Sequence, residues 1–178
     1  NFSSARDCYS TIRCLRAIGV DIEEGNKIKI SGVGIRGFKE PENILDAENS
    51  GTTIRLLSGL LAGQPFLSII TGDDSLRRRP MDRIIVPLSL MGAEFWARGD
   101  NRFPPMAIKG RYPLGSIEYK LPIASAQVKS ALIIAGLLAE GESKIVEPLP
   151  SRDHTERLLP AFGARLKKEG NTVIVYGA

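Results

Sequence analysis

A helix followed by a β-hairpin recurs three times along this chain, and this repeat constrains the possible folds more than any single motif. The predicted helices span Asp7–Gly19, Pro80–Gly92 and Ser151–Gly163. Each ends on a glycine, which is favoured after a helix because it adopts a positive φ without strain. These three glycines recur at nearly equal intervals, and the predicted hairpins turn soon after them, at Gly25, Gly99 and Gly170. Repeats of this length predict stacked units that share one core.

A second match extends the unit. The sequence SGLLAG at Ser58–Gly63 resembles AGLLAEG at Ala135–Gly141, and a strand-like run follows each. The predicted unit is therefore strand, helix, strand, helix, hairpin. We predict an α/β fold and a single domain over 1–178, with complete units at about 33–110 and 111–178. Residues 1–32 supply only the last helix and hairpin of a unit, so we expect the chain to be part of a longer protein.

The stretch ENSGTTIRLLSGLLAG at Glu48–Gly63 predicts a buried helix with a polar, glycine-containing start. The first N–H groups of a helix lack intrahelical acceptors, and the helix dipole adds partial positive charge there. Ser50, Gly51 and Thr52 lie at this start, and Arg55 lies one turn further on. Such an arrangement favours an anion, although an ordinary buried helix with a good cap has the same pattern.

Three further helix starts carry similar residues. Ser125, Ala126 and Gln127 open one helix, with Lys129 in its first turn, and the offset between the two apolar strings aligns Gln127 with Ser50. The sequence RRRPMDR (77–83) predicts Pro80 at the first helical position. The sequence SRDHTER (151–157) predicts Ser151 as a helix cap beside Arg152. If equivalent helices point the same way in a threefold-like stack, their positive ends converge on one anion-binding face.

Composition excludes several function classes. The net charge of +4 is too small to argue for nucleic acid, and no apolar run reaches the length of a membrane span. The only histidine, His154, is better explained as a surface or capping residue than as a base, so no Ser-His-Asp triad is expected. Cys8 and Cys14 lie in one helical pattern at a spacing that favours free thiols and a reducing compartment. In the first helix, the apolar spacing predicts inward-facing Ile12, Leu15, Ala17 and Ile18.

Four stretches of the sequence resemble the enolpyruvyl transferase family, and within it 5-enolpyruvylshikimate-3-phosphate (EPSP) synthases. They are ENSGTTIRLL, DDSLRRRPMDRIIVPLSLMGA, PIASAQVKSALIIAGLLAEG and SRDHTERLL. The resemblance implies two similar domains, each of three βαβαββ units with pseudo-threefold packing, and substrates bound in the cleft between them. This chain resembles the N-terminal-side domain without its first βαβ segment.

The resemblance also implies a reaction: transfer of the enolpyruvyl group of phosphoenolpyruvate to shikimate 3-phosphate. Carried over by position, phosphoenolpyruvate would contact Gly51, Thr52, Arg79 and Gln127. Shikimate 3-phosphate would contact Ser125, Ala126, Gln127 and Arg152, with Ser151 nearby. Ala126 replaces a serine of many members, and Leu56 replaces a proline. No cofactor and no catalytic residue is expected in this chain, because the family's acid and base lie largely in the second domain; the chain alone is therefore expected to be inactive.

Two alternatives remain at the level of sequence. UDP-N-acetylglucosamine enolpyruvyl transferases share the fold and the donor, but they normally carry a reactive cysteine in the loop that corresponds to 72–80, where this chain has none. A non-catalytic anion- or RNA-binding module of similar architecture is disfavoured by the 6% aromatic content. The expected partners are the two substrates and a second domain of the same enzyme, without nucleic acid or membrane, in the cytoplasm of a bacterial-type cell.

Overall fold

The computed structural model describes residues 2–177, which form helices, strands and short 3-10 turns. The helical segments are α1 (Arg6–Ala17), α2 (Gly51–Ala62), α3 (Asp82–Leu90), the short turn α4 (Arg98–Asn101), α5 (Ala126–Leu137) and α6 (His154–Leu158), with 3-10 turns at Leu76–Arg78 and Leu159–Phe162. The strands are β1 (Asp21–Glu23), β2 (Lys29–Ser31), β3 (Leu45–Asp46), β4 (Leu67–Thr71), β5 (Glu94–Ala97), β6 (Phe103–Lys109), β7 (Leu114–Gly115), β8 (Glu118–Lys120), β9 (Ala139–Glu140), β10 (Glu142–Val146), β11 (Leu166–Glu169) and β12 (Thr172–Tyr176).

Two four-stranded sheets have the same topology, as the repeat predicts. Their strand orders are β3-β4-β6-β5 and β8-β10-β12-β11. In each sheet the opening strand is parallel to the second, and the second is antiparallel to a hairpin that completes the sheet. The connection from the opening strand is α2 in one sheet and α5 in the other. The α/β fold and the strand, helix, strand, helix, hairpin order are therefore confirmed.

The two connecting helices pack directly on each other in the core. Both begin at a serine whose hydroxyl oxygen accepts a hydrogen bond from a backbone N–H of the first turn: Ser50 from Thr53 and Ser125 from Val128. Gly59 of α2 lies so close to the backbone of Ala131 that a Cβ would be 2.9 Å from the Ala131 carbonyl carbon. The absence of a side chain at Gly59 thus permits the close crossing of these helices.

The helix caps align the two repeated units differently from the alignment predicted from their apolar strings. The sequence interval from Ser50 to Ser125 equals the interval between the first residues of β4 and β10, Leu67 and Glu142. This interval is slightly shorter than the offset between the apolar strings SGLLAG and AGLLAEG. The predicted alignment of Gln127 with Ser50, which relied on those strings, was wrong. Gln127 corresponds instead to Thr52, since each is the second residue of its helix.

Two predicted helix starts were also wrong. Pro80 does not open α3, which begins at Asp82, because the φ of Met81, −117°, departs from helical geometry. The Met81 N–H donates to the Arg102 carbonyl oxygen at 2.8 Å and ties this lead-in to the hairpin. Ser151 does not cap α6, which begins at His154; its hydroxyl donates to Glu147 instead. The helix-ending glycines behave as predicted, with positive φ at Gly19, Gly92 and Gly163.

The segment 6–31 forms α1 and the antiparallel β1–β2 hairpin. Ile12 and Ile18 are buried and Leu15 is half-buried, as predicted. Ala17 is exposed, contrary to prediction, because the buried face of the helix runs along Ser10, Cys14 and Ile18, and Ala17 lies beyond its edge. Both cysteines are free. Within residues 2–177, no helix has the length and hydropathy required to cross a bilayer.

An apolar groove runs beside α2 and α5. It comprises two cavities of about 690 and 390 Å³ that share Leu15, Leu60 and Ile134. Phe162 lines the larger cavity and is 79% exposed, so a large aromatic side chain stands uncovered there. Unlike the rest of the core, the apolar side chains that line this groove are open to solvent.

Candidate functional site

A polar cavity of about 740 Å³ opens at the amino-terminal end of α2. Its lining residues are Arg6, Asp7, Asp46, Glu48, Asn49, Ser50, Gly51, Thr52, Gly72, Asp73, Arg77, Arg79 and Gln127. A smaller cavity of about 350 Å³, which shares Arg79 and Gln127 with the first, is lined by Arg55, Arg79, Pro80, Arg83, Ser125, Gln127 and Val128. The amino-terminal ends of α2 and α5 therefore meet at one polar region, as the sequence predicted.

Gln127 joins the two helix ends. Its Oε1 accepts a hydrogen bond from Nη1 of Arg55 at 2.9 Å, and its Nε2 donates to Oγ1 of Thr52 at 2.8 Å. Because Thr52 and Gln127 are equivalent residues of the repeat, the contact links the same position in two successive units. The side chain of Gln127 is thereby fixed at the rim of both cavities.

Arg79 is held by a chain of polar side chains. Its Nη2 donates to Oδ1 of Asn49 at 2.7 Å, and Nδ2 of Asn49 donates to Oδ2 of Asp73 at 2.6 Å. The Asn49 hydrogen bond, followed by the Leu76 N–H, lowers the pKa of Asp73 below its ordinary value. The carboxylate fixes the Asn49 amide, which in turn orients the guanidinium. Asp73 was not predicted as a site residue, although an Asp-Asp pair just before an arginine run was a usable signal in the sequence.

Arg55 lies half-buried behind the entrance. Nη1 donates to the Gly51 carbonyl oxygen at 3.1 Å and Nη2 to the Pro80 carbonyl oxygen at 3.3 Å. Burial, and then the nearby charges of Arg79 and Arg83, lower the pKa of Arg55. Within residues 2–177, none of these three arginines has a carboxylate oxygen within 4.0 Å. Three neighbouring cations without a direct carboxylate partner favour binding of an anion between them.

Gly51 keeps the entrance open. A Cβ at this position would lie 2.9 Å from Nη1 of Arg55 and 3.1 Å from Nη1 of Arg79. Gly51 and Thr52 belong to the first turn of α2, whose N–H groups have no intrahelical acceptor. An anion at this point can thus approach backbone donors and two guanidinium groups together.

The residues expected to contact the second substrate are only partly brought together. Ser125 and Gln127 line the smaller cavity, and Ala126, half-buried, lies between them at the start of α5. Ser151 and Arg152 line neither cavity; Arg152 is exposed on the loop before α6. Lys129, which the sequence places near this helix start, is fully buried and paired with Glu147 and Glu156.

Metal ligation is not supported by the side chains of residues 2–177, where no group of three or more His, Cys, Asp or Glu is arranged to hold an ion. His154 is exposed at the start of α6 and lines neither polar cavity. The side chains that line the two cavities are therefore cationic, carboxylate and neutral hydrogen-bonding groups at two helix N-termini.

Comparison with known proteins identifies the family of this chain. The family model described as EPSP synthase (3-phosphoshikimate 1-carboxyvinyltransferase) matches residues 1–178. A 3-phosphoshikimate 1-carboxyvinyltransferase of Desulforamulus reducens is 54% identical over 99% of this chain and 42% of its own length. The corresponding protein of Thermodesulfovibrio yellowstonii is 52% identical over 97% of this chain and 40% of its own.

A solved structure gives the same result. EPSP synthase from Acinetobacter baumannii superposes with a TM-score of 0.96 and 49% identity, over 99% of this chain and 40% of that one. The chain thus spans about two-fifths of the length of the relatives it matches. Since the match extends over the whole chain in sequence and in fold, the chain belongs to the EPSP synthase family.

Proposed function

We propose that this chain supplies the anion-binding part of an enolpyruvyl transferase that uses phosphoenolpyruvate and shikimate 3-phosphate. The observation that carries the proposal is the group of guanidiniums without carboxylate partners where α2 and α5 begin. Both substrates are small and multiply charged. Family membership supports the identity of the substrates, and the cation cluster supports binding at this place.

The donor is assigned to the region around Gly51. The phosphate or carboxylate of phosphoenolpyruvate accepts hydrogen bonds from the α2 N-terminus, from Arg79 and from the Gln127 amide. Arg55 lies behind these groups and does not contact the ligand directly. It orients the Gln127 side chain through a hydrogen bond and adds positive electrostatic potential to the site. The acceptor is assigned to the start of α5, with Ser125, Ala126 and Gln127, and to the loop that carries Ser151 and Arg152.

The proposed reaction needs little covalent chemistry from this chain. A proton adds to the methylene carbon of phosphoenolpyruvate while the 5-hydroxyl oxygen of the acceptor bonds to its C2 and loses its own proton. The methyl group formed in this way then loses a proton as the C2–O bond to phosphate breaks, which restores the carbon–carbon double bond and releases inorganic phosphate. The arginines neutralise the crowded anions and fix the two reactants next to each other, which is electrostatic and proximity catalysis. The proton-transfer groups are assigned to a second domain outside these residues.

The same proposal covers the domain organisation. We assign units at about 33–110 and 111–178 and a partial unit at 1–32, which together form one domain. A strand–helix–strand of the partial unit would cover the apolar groove beside α2 and α5, where Leu60, Ile134 and Phe162 stand open. A cytoplasmic location follows from the proposed metabolic role and the free thiols.

The test is a steady-state assay of phosphate release in a full-length protein that carries these residues, with both substrates. Arg79→Met removes a charge-assisted contact to the donor, so kcat/KM for phosphoenolpyruvate should fall about 100-fold. Arg78→Met is the matched control: it makes the same change in the adjacent, exposed residue, which does not line the polar cavity, and it should stay within threefold of the parent.

Two results would count against the proposal. One is the absence of phosphate release with shikimate 3-phosphate, above all if UDP-N-acetylglucosamine supports release instead. The other is an equal effect of the Arg78 and Arg79 substitutions, because a general loss of surface charge would then explain the data.

A further inference from the structure

A buried charge cluster lies one turn below the start of α5 and has no place in the mechanism above. Nζ of Lys129 is 2.7 Å from Oε2 of Glu147 and 2.6 Å from Oε1 of Glu156. All three residues are buried, with exposures of 0%, 2% and 6%. Charged residues are almost never buried to this extent unless they are paired, so the cluster is a built feature of the core.

The cluster is not an anion site. Lys129 already faces two carboxyl groups, those of Glu147 and Glu156. Burial alone would lower the pKa of Lys129, but the hydrogen bonds and charges of Glu147 and Glu156 outweigh it and hold the pKa above its ordinary value. The ammonium is therefore charged and occupied, and neither polar cavity reaches it.

The cluster reaches the candidate acceptor site through one residue. The second oxygen of the Glu147 carboxylate, Oε1, accepts a hydrogen bond from the Ser151 hydroxyl. The Glu147 N–H donates to the Asn171 carbonyl oxygen at 2.9 Å, which anchors its backbone to the β11–β12 turn. Glu147 is thus fixed at both its backbone and its side chain, and it holds the loop residue that precedes Arg152.

A second contact also joins α5 to the segment that follows β10. Oγ of Ser130, beside Lys129 on α5, is 2.5 Å from Oγ1 of Thr155 on α6. The second turn of α5 is therefore joined both to the start of α6 and, through Glu147, to the loop between β10 and α6. The loop joined in this way carries Ser151 and Arg152, which line neither cavity themselves.

We propose that Glu147, held in place by Lys129, is a positioning residue that fixes the Ser151–Arg152 loop against the amino-terminal end of α5. The inference deepens the proposed function and rests on it for the identity of the ligand: the loop and the α5 start would contact the same phosphorylated acceptor. Since the donor lies on the α2 side of Gln127, the effect should be confined to the acceptor.

The cluster provides its own matched control. Glu147 and Glu156 both pair with Lys129, and both are buried, but only Glu147 also accepts from Ser151. Glu147→Met and Glu156→Met each leave Lys129 paired with the remaining carboxylate, so neither variant strands a buried charge. Glu147→Gln can accept from Lys129 with its single oxygen and donate from its amide NH2 to the Ser151 hydroxyl oxygen, so it keeps both links and serves as the conservative rescue.

The experiment compares these variants in a full-length protein, with KM for each substrate and the NMR order parameters of the Ser151 and Arg152 amides. In Glu147→Met we expect KM for shikimate 3-phosphate to rise about tenfold, KM for phosphoenolpyruvate to stay within twofold, and both order parameters to fall. Glu156→Met should leave both KM values within twofold and the loop rigid, even if its melting temperature falls. Glu147→Gln should recover most of the acceptor KM.

Equal effects of Glu147→Met and Glu156→Met on the loop and on KM would overturn the inference and leave the cluster as a stabilising element only. If the parent protein releases no phosphate, the proposed function fails, and the order parameters alone then decide the positioning role. If Glu147→Met does not fold, Ser151→Ala tests the same link with the cluster intact: the Arg152 amide should become mobile, and an unchanged order parameter would refute the role.

Discussion

The crossing of α2 and α5 offers the sharpest test of how packing supports the site. A Cβ added at Gly59 would lie 2.9 Å from the carbonyl carbon and 3.0 Å from the Cα of Ala131, and closer still to the carbonyl oxygen. These are backbone atoms, so no rotamer change at Ala131 can relieve the contact. Gly59→Ala should therefore force the helices apart by roughly 1 Å, as overpacked cores respond by backbone shifts.

The magnitude follows from two opposing contributions. Alanine in place of glycine favours the helix by about 1 kcal/mol, whereas overpacking costs about 1–3 kcal/mol or more. The upper part of that range applies because the contact is with backbone, which gives a net loss of about 2 kcal/mol. For a domain of this size the melting temperature should fall by about 4–8 °C.

The same shift should reach the donor site. Thr52 and Arg55 on α2 contact Gln127 on α5 at 2.8 and 2.9 Å, so a separation of roughly 1 Å breaks both hydrogen bonds. Misplacement by about 1 Å can reduce rates by about 100-fold, and we expect kcat/KM for phosphoenolpyruvate to fall at least tenfold. Thermal denaturation and steady-state kinetics on a full-length protein measure the two effects.

Gly136→Ala is the control for this experiment. It makes the same change within α5, but its Cβ would meet only side-chain atoms of Val175 and Ser143, at 3.2 and 3.5 Å. These separations are longer than those at Gly59 and involve no backbone atom, so a shift of a few tenths of an ångström relieves them, and the variant should stay within about 1 kcal/mol of the parent and retain its kinetics. A Gly59→Ala protein as stable and active as Gly136→Ala would refute the argument that the close crossing positions the site.

Three further predictions concern single residues. Gly51→Ala, whose Cβ would crowd two guanidinium groups, should raise KM for phosphoenolpyruvate at least tenfold while the melting temperature stays within a few degrees. Lys129→Met strands two buried carboxylates and should cost about 3–5 kcal/mol in thermal or urea denaturation, and adding Glu156→Gln should recover part of the loss. Burial, followed by the Asp46 charge, raises the pKa of Cys14 from 9.0 to about 11. The protonated thiol therefore contributes fully to the stability of the fold below pH 9.0, and this contribution is lost as the pH rises towards 11. Mass spectrometry after alkylation at about pH 8 should find Cys8 modified well before Cys14, and equal labelling would contradict the burial argument.

Local chemistry explains what the sequence predicts well. The caps at Ser50 and Ser125 and the positive φ at Gly92 and Gly163 depend on residues within a few positions along the chain. Such preferences act within one turn, and they suffice to place the helices and the hairpins. The convergence of the helix starts then follows from the repeat itself.

Long-range contacts explain what sequence reasoning missed. The residue before α3, Met81, is held by a hydrogen bond to Arg102, which lies in the hairpin beyond the far end of that helix, and no local pattern encodes this contact. The ion pairs that occupy Lys129 come from Glu147 and Glu156, which both lie beyond the end of α5. A cation one turn into a capped helix is compatible with an anion site or with a buried pair, and only the tertiary fold decides between them.

The candidate site lies at a position where the two repeated units differ in sequence, and this difference determines which groups the site offers to a ligand. Thr52 and Gln127 occupy the same place in two equivalent helices, yet one has a short hydroxyl side chain and the other a longer amide. The amide is long enough to donate to Thr52 and to accept from Arg55 at once. A second threonine in place of Gln127 would preserve the fold of both helix starts but leave Arg55 without that acceptor and the cavity without an amide donor. The repeat therefore determines where the helix dipoles meet, and the difference between the copies determines what can bind there.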